Sequence, residues 1–216
     1  MIDPSLFALY LVAAGAMILS PGPDSIYVLT RSIAEGRSVG IASAAGISVG
    51  VVVHTVAAVL GLAALFQASL VAFTAVTYLG AAYLVFLGIR TIRDDVEIDS
   101  SDGKSPASDA DVIGEPTETS NPFLEAITVN VLNPQVAIFF LAFLPQFVSG
   151  DWIEAQLTLL GGIYAALTML YLGTVAVAAG ALRSVLVTRP TIANGIQWIT
   201  GLVLIGLGFR LFLGGF

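Results

Sequence analysis

One carboxylate, Asp24, stands alone in an apolar run that begins at Leu6 and fades near Ala34; no other acid lies between Pro4 and Arg31. Leu19-Ser20-Pro21-Gly22-Pro23 runs directly before it. Proline has no backbone N–H, so Pro21 and Pro23 deprive the carbonyls of Met17 and Leu19 of their i+4 donors. An ionisable group beside broken backbone at membrane depth is costly and marks a candidate functional site. A buried aspartate can exchange protons near neutrality or pair with a cationic solute. His54, the one histidine of the chain, titrates in that range without help. A second break, Asn133-Pro134-Gln135, lies in the other half, where Pro134 takes the donor from the Asn130 carbonyl. Asp24, His54, Pro21, Gly22, Pro23, Asn130, Asn133, Pro134 and Gln135 are therefore the candidate residues for substrate or proton binding. Two plainer readings stand beside these roles. Pro-Gly-Pro-Asp can be a turn between short helices with Asp24 as an N-cap, and His54 can be a neutral histidine making one interhelical hydrogen bond.

The elements that position these residues are apolar helices. The chain has 216 residues, of which 57% are hydrophobic and 11% charged, against about 25% charged in a soluble domain; its mean hydropathy is +0.94. Apolar residues come in runs of about twenty without strand-like alternation, the pattern of a polytopic all-α membrane protein with about six spans. The absence of cysteine excludes disulfides, thiolate metal sites and thiol redox relays. No hydrolase or oxidoreductase motif stands out, and no cluster of in-membrane acids could hold a metal. The chain is expected to be no enzyme and to need no cofactor. Met1-Ile2-Asp3-Pro4 has no basic n-region, which argues against a cleaved secretory signal. Net charge is −7. Nine acids lie between Asp94 and Glu118 with Lys104 the one base among them, a composition that cannot build a packed core and reads as a disordered loop. Such a surface excludes nucleic acid as a partner. It suits a salt-rich cytoplasm, hence a guess at a halophilic source.

Six spans follow in order. The first runs from about Ser5 to Ala34 and is broken at Pro21–Pro23. The second, Val39 to Phe66, carries Gly46-Ile47-Ser48-Val49-Gly50, a small-xxx-small face with His54 one turn beyond. Packing within one chain is its plain reading; a homodimer seam is the other. The third runs from Leu70 to Ile92, and the acidic loop covers 93–121. The fourth, Pro122 to Phe147, is broken at Pro134 and closed by Pro145. The fifth runs from Trp152 to Leu182, followed by a turn holding Arg183 and Arg189-Pro190, and the sixth from Ile192 to Leu213. Seven of the eight basic residues fall in the loops after spans one, three and five, leaving Arg210 apart. The positive-inside rule then makes those loops cytoplasmic and puts both termini outside.

Leu84, Leu87, Gly88 and Arg90 recur as Leu204, Leu207, Gly208 and Arg210, a constant offset of 120. With a proline break in spans one and four, the chain divides into halves 1–92 and 122–216. Three spans per half is odd, so the halves must insert with opposite topology, which also accounts for Arg210. Inverted repeats with one interrupted helix each are the architecture of secondary transporters.

Several stretches carry a resemblance: Ser20-Pro21-Gly22-Pro23-Asp24; Ala45-Gly46-Ile47-Ser48-Val49-Gly50 leading to His54; Tyr78-Leu79-Gly80-Ala81-Ala82-Tyr83-Leu84 running to Gly88-Ile89-Arg90; Asn133-Pro134-Gln135; Phe139-Phe140; and Leu144-Pro145-Gln146-Phe147. Their order and spacing resemble the LysE/RhtB family of amino-acid exporters over nearly the whole chain outside the acidic loop. The resemblance implies export of amino acids or their derivatives across the plasma or inner membrane, driven by the proton-motive force. One departure is Gln135, where the family commonly has lysine; the second break then lacks a fixed cation, and the substrate's charge preference stays open. Free N–H groups at half-helix N-termini would suit a substrate carboxylate, with Asp24 for the ammonium or the coupling proton. The partners expected are thus an amino acid, protons and the bilayer. Two other readings are weighed against this one: export of another solute such as a metal or organic cation, and a non-transporting membrane subunit whose acidic loop binds a partner.

Overall fold

A computed structural model describes residues 2–68, 70–93, 121–148, 150–188 and 190–213. All its regular elements are helical. The first half holds α1 (Pro4–Leu19), α2 (Pro23–Glu35), α3 (Arg37–Ala68) and α4 (Leu70–Arg93). The second holds α5 (Pro122–Val131), α6 (Pro134–Ile138), α7 (Ile153–Thr188) and α8 (Pro190–Phe212). α6 runs on through a π turn over Phe139–Phe143 and a 3-10 turn over Leu144–Phe147. Pro145 lacks the N–H that the α ladder needs there, and Val148 is extended. The acidic loop expected over 93–121 lies, for 94–120, outside the described residues.

The prolines set the element boundaries. Pro4, Pro23, Pro122 and Pro134 each sit in the first turn of a helix, where a missing N–H costs nothing. Asp3 caps α1 through the N–H groups of Ser5 and Leu6, and the Ser5 hydroxyl also donates to it. These bonds hold the exposed Asp3 carboxyl below its ordinary pKa. α1 and α2 meet at 49°, and α5 meets the α6 segment at 51°. Among the described residues, Arg37–Gly61, Thr74–Arg93 and Ile153–Ala181 are long and apolar enough to cross a membrane, and the two bent pairs raise that number to five. The expected sixth span is represented by the shorter apolar stretch Gln197–Phe212. One expected boundary is corrected: α7 runs on to Thr188, so Arg183 is helical and not part of a turn. Arginine is a good helix former, and nothing interrupts the helix before Pro190.

Three helix pairs organise the packing: α4 with α8, α3 with α7, and α3 with α5. Their glycines give the register. A Cβ placed on Gly88 would fall 2.6 Å from the Gly201 carbonyl oxygen, and one on Gly208 would fall 2.8 Å from that of Ala81. Positions 81 and 88 become 201 and 208 at the offset of 120, so the contact is reciprocal and the two helices run antiparallel. α3 and α7 are also antiparallel, with Gly40 against Ala176 and Thr55 against Gly161. α3 and α5 run parallel, Gly46 facing Ala126 and Gly50 facing Asn130. The small-xxx-small face is therefore filled by the same chain. An aromatic core of Tyr10, Phe139, Phe140, Phe143, Phe147 and Tyr164 fills the space beneath the second break.

Candidate functional site

The two breaks face each other. Asp24 sits in the first turn of α2, one residue past the opening proline. Gly22, not Asp24, is the N-cap, and it has no side chain with which to cap. The Asp24 carboxylate points across to the second break, where Asn130 Nδ2 donates to Oδ2 at 2.7 Å and Asn133 Nδ2 donates to Oδ1 at 3.1 Å. Of the turn reading, the bend between two helices is present, but Asp24 is not its cap. Among the described residues no basic side chain forms an ion pair with Asp24. Hydrogen bonds from two amides therefore hold the group in place.

Each asparagine has a second task that fixes its position. Asn133 caps α6, its Oδ1 accepting from the Gln135 N–H at 3.0 Å. The Asn130 carbonyl, which Pro134 leaves without its α-helical donor, accepts from the Asn133 N–H at 3.0 Å and lies 3.0 Å from His54 Nε2. A carbonyl only accepts, so His54 carries a proton on Nε2. The imidazole stacks on Phe140 at 5.9 Å between centroids. His54 thus reaches Asp24 through Asn130 and does not touch it.

Of the candidates, Gly22, Asp24, Asn133 and Gln135 line a small cavity between the breaks. Gln135 closes over the first break, its Oε1 3.1 Å from where a Gly22 Cβ would stand. Asn130 and His54 lie behind that wall. Pro21, Pro23 and Pro134 are exposed on the outer side of their bends, so they shape the backbone and contribute no side chain to the cavity. The cavity measures ≈ 30 Å³, enough for a water or two but not for an amino acid.

Four hydroxyl-bearing cavity residues were not among the candidates: Ser20, Ser25, Tyr164 and Thr168. Ser20 Oγ and Thr168 Oγ1 are buried with no hydrogen-bond partner. Ser20 adjoins the first break and could have been included with it. Thr168 sits in the apolar middle of α7, where nothing marks it in the sequence.

A second polar cluster lies two turns along α2. Arg31, 8% exposed, pairs with Glu35 at 2.8 Å and with Glu125 of α5 at 3.6 Å. The Tyr27 hydroxyl donates to the same Glu125 carboxylate at 2.9 Å. Arg31, expected in a loop, is instead buried where α2 meets α5.

Comparison with known proteins agrees with the residue patterns. A homoserine/homoserine lactone efflux protein of Salmonella typhimurium is 35% identical over 153 residues, covering 70% of this chain and 69% of its own. A leucine efflux protein of Klebsiella pneumoniae is 30% identical over 208 residues, covering 94% and 92%. An uncharacterized membrane protein of Pseudomonas aeruginosa is 30% identical over 207 residues, covering 95% and 94%. No solved structure gives a significant match. The family model described as LysE type translocator matches residues 15–215, and with that match across paired helix breaks and a shared polar site, the chain belongs to the LysE family of membrane translocators.

Proposed function

We propose that this protein is a secondary active exporter of amino acids or close derivatives, working by proton antiport at Asp24. One observation carries the reading: the side chains of Asn130 and Asn133, on either side of one helix break, hold the single carboxylate of the other. A substrate ammonium would compete with the amide donors for that carboxylate. In the empty carrier a proton would take its place. One carboxylate cannot hold both, and that exclusion is sufficient for exchange. The substrate carboxylate would lie toward the N-terminus of α2, whose first-turn N–H groups have no side-chain cap. Relatives named for homoserine and leucine efflux support an amino acid as the solute.

The inverted arrangement of halves 1–92 and 122–216, with both termini outside the cell membrane and 93–121 cytoplasmic, belongs to the same proposal. The reciprocal, antiparallel contacts of Gly88 with Gly201 and of Gly208 with Ala81 support it, as does the placement of Arg90 and Arg210 at equivalent ends of α4 and α8. In that orientation the Tyr27–Arg31–Glu125 cluster lies on the cytoplasmic side of Asp24. It would close the route by which substrate enters.

The test is efflux of a panel of radiolabelled amino acids from proteoliposomes holding the purified protein, with and without an imposed pH gradient. Gradient-dependent efflux of at least one amino acid is expected, and it should survive deletion of 95–118. A panel that shows no flux above empty liposomes refutes the reading. A non-transporting subunit that works through its acidic loop predicts that outcome.

A further inference from the structure

Two hydroxyls in the cavity wall have no task in the exporter reading. Ser20 is 3% exposed and Thr168 4% exposed. Both line the cavity between the breaks, and neither Ser20 Oγ nor Thr168 Oγ1 has a hydrogen-bond partner. Buried polar groups are otherwise almost always bonded. Thr158 and Thr174, on the same helix as Thr168, return their hydroxyls to the carbonyl four residues back. Thr168 lies between them in continuous helix and does not. Ser25 and Tyr164 also line the cavity, so four hydroxyl-bearing residues and one acid surround a space of ≈ 30 Å³.

We propose that this space is a sodium site, formed by Asp24, Ser20 and Thr168, and that Na+ entering it drives export. The use in transport rests on the exporter reading; the binding itself does not. A space the size of a water or two admits a bare ion and not an amino acid. Its wall supplies the carboxylate and hydroxyl oxygens that hard cations take. A carboxylate has about four lone-pair sites, and the asparagine amides occupy one on each oxygen of Asp24, which leaves one on each for an ion. Ser20 and Thr168 add neutral oxygens with no competing bond. α1 ends beside the cavity, with Met17 and Ile18 in its wall, and Pro21 has no N–H for the Met17 carbonyl. Carbonyls at such interrupted helix ends coordinate sodium in transporters. Charge sets the valence. The lining holds one acid and no base, so a monovalent ion is neutralised and a divalent one would leave a charge buried. Among the described residues no three His, Asp or Glu side chains gather to hold a divalent metal. The direction of transport selects sodium over potassium, because exchange-driven export needs an ion whose gradient runs into the cell. Na+ and a substrate ammonium cannot share the one carboxylate, so the exclusion that permits exchange with a proton permits it with sodium as well.

Binding is tested first, on the purified full chain in detergent. Thermal melts would be recorded as NaCl replaces choline chloride at constant ionic strength and pH, with KCl as the control. Na+ should raise the melting temperature of wild type along a saturating curve, since a ligand of the folded state stabilises it by mass action, and K+ should not. Ser20→Ala and Thr168→Val, both close in shape to the native residue, should each raise the half-saturating Na+ concentration by about tenfold or more. Their melts in choline alone report whether they fold. No response to Na+ in wild type, or an equal response to K+, would overturn the site. So would an unchanged half-saturation in both variants, which would place the ion elsewhere and leave the hydroxyls to hold water. Flux is tested second, in proteoliposomes at equal pH on both sides. An inward Na+ gradient should drive efflux of an amino acid from the panel, and a K+ gradient of the same size should not. Efflux that follows an imposed pH gradient and ignores Na+ would overturn the coupling role. A protein that binds Na+ and moves no amino acid is a separate outcome, in which the sodium site stands and the exporter reading fails.

Discussion

The site depends on how closely α3 approaches α5, and Gly50→Ala tests that dependence. A Cβ at position 50 would lie 2.6 Å from Asn130 Oδ1, 2.7 Å from its Cβ and 3.0 Å from its Cγ. Ordinary carbon contacts need about 3.5–4.0 Å, so roughly an ångström of room must be found. Either α3 moves off α5, or Asn130 turns. Overpacking of this kind costs about 1–3 kcal/mol. If Asn130 turns, its 2.7 Å bond to Asp24 is lost, and a hydrogen bond to a charged group contributes about 1.5–3 kcal/mol. A loss of that size at the transport step is a ten- to hundredfold fall in flux, at about 1.4 kcal/mol per factor of ten. Gly61, on the same helix, has nothing within 4 Å of its Cβ position. Gly61→Ala should instead stabilise the helix by about 0.5–1 kcal/mol. The assay is a thermal melt in detergent beside flux in proteoliposomes. Gly50→Ala should melt lower and transport poorly, and Gly61→Ala should melt no lower and transport normally. If the two alanines behave alike, the close contact at Gly50 does not hold the site together.

Other consequences follow from the same geometry. His54 acts through one hydrogen bond to the Asn130 carbonyl, so His54→Gln, which keeps a donor, should retain most transport; abolished proton coupling in an intact His54→Gln protein would make the imidazole a proton carrier. Pro134→Ala should insert and purify normally yet lose most flux, because a straightened α5–α6 carries Asn133 away from Asp24; normal flux would reduce this break to a tolerated kink. Cysteines introduced at Asp109 and Gly215 test orientation, the chain having none of its own. An impermeant maleimide applied to whole cells should label Gly215→Cys and spare Asp109→Cys, and the reverse pattern would turn the protein over.

Much of this arrangement could be read from local chemistry. Proline breaks a helix wherever it stands, so both bends were visible at Pro21-Gly22-Pro23 and at Pro134. Gly46, Gly50 and His54 recur every fourth residue, which puts them on one face without any tertiary knowledge. The offset between Gly88 and Gly208 needed only comparison of the chain with itself. What stayed hidden depends on which helices meet. Asn130 was singled out for its carbonyl, but its side chain bonds Asp24 only because α5 packs parallel to α3 beside α2. Arg31 reads as a loop cation until Glu125, far along the chain, is placed against it. Thr168 gives no signal at all, since a threonine in an apolar helix ordinarily bonds its own backbone.

Asp24→Asn is the most direct test of the central claim. The substitution is nearly isosteric and leaves an oxygen for Asn130 or Asn133, but it removes the charge and the titratable proton. Asp24 makes no capping bond that asparagine would need to replace, since Gly22 holds the N-cap position. Export of amino acid from proteoliposomes under an imposed pH gradient should therefore fall to the level of empty liposomes while the protein still inserts and purifies as wild type. Wild-type export by Asp24→Asn would contradict the account, because neither a substrate ammonium nor a coupling proton could then depend on that carboxylate.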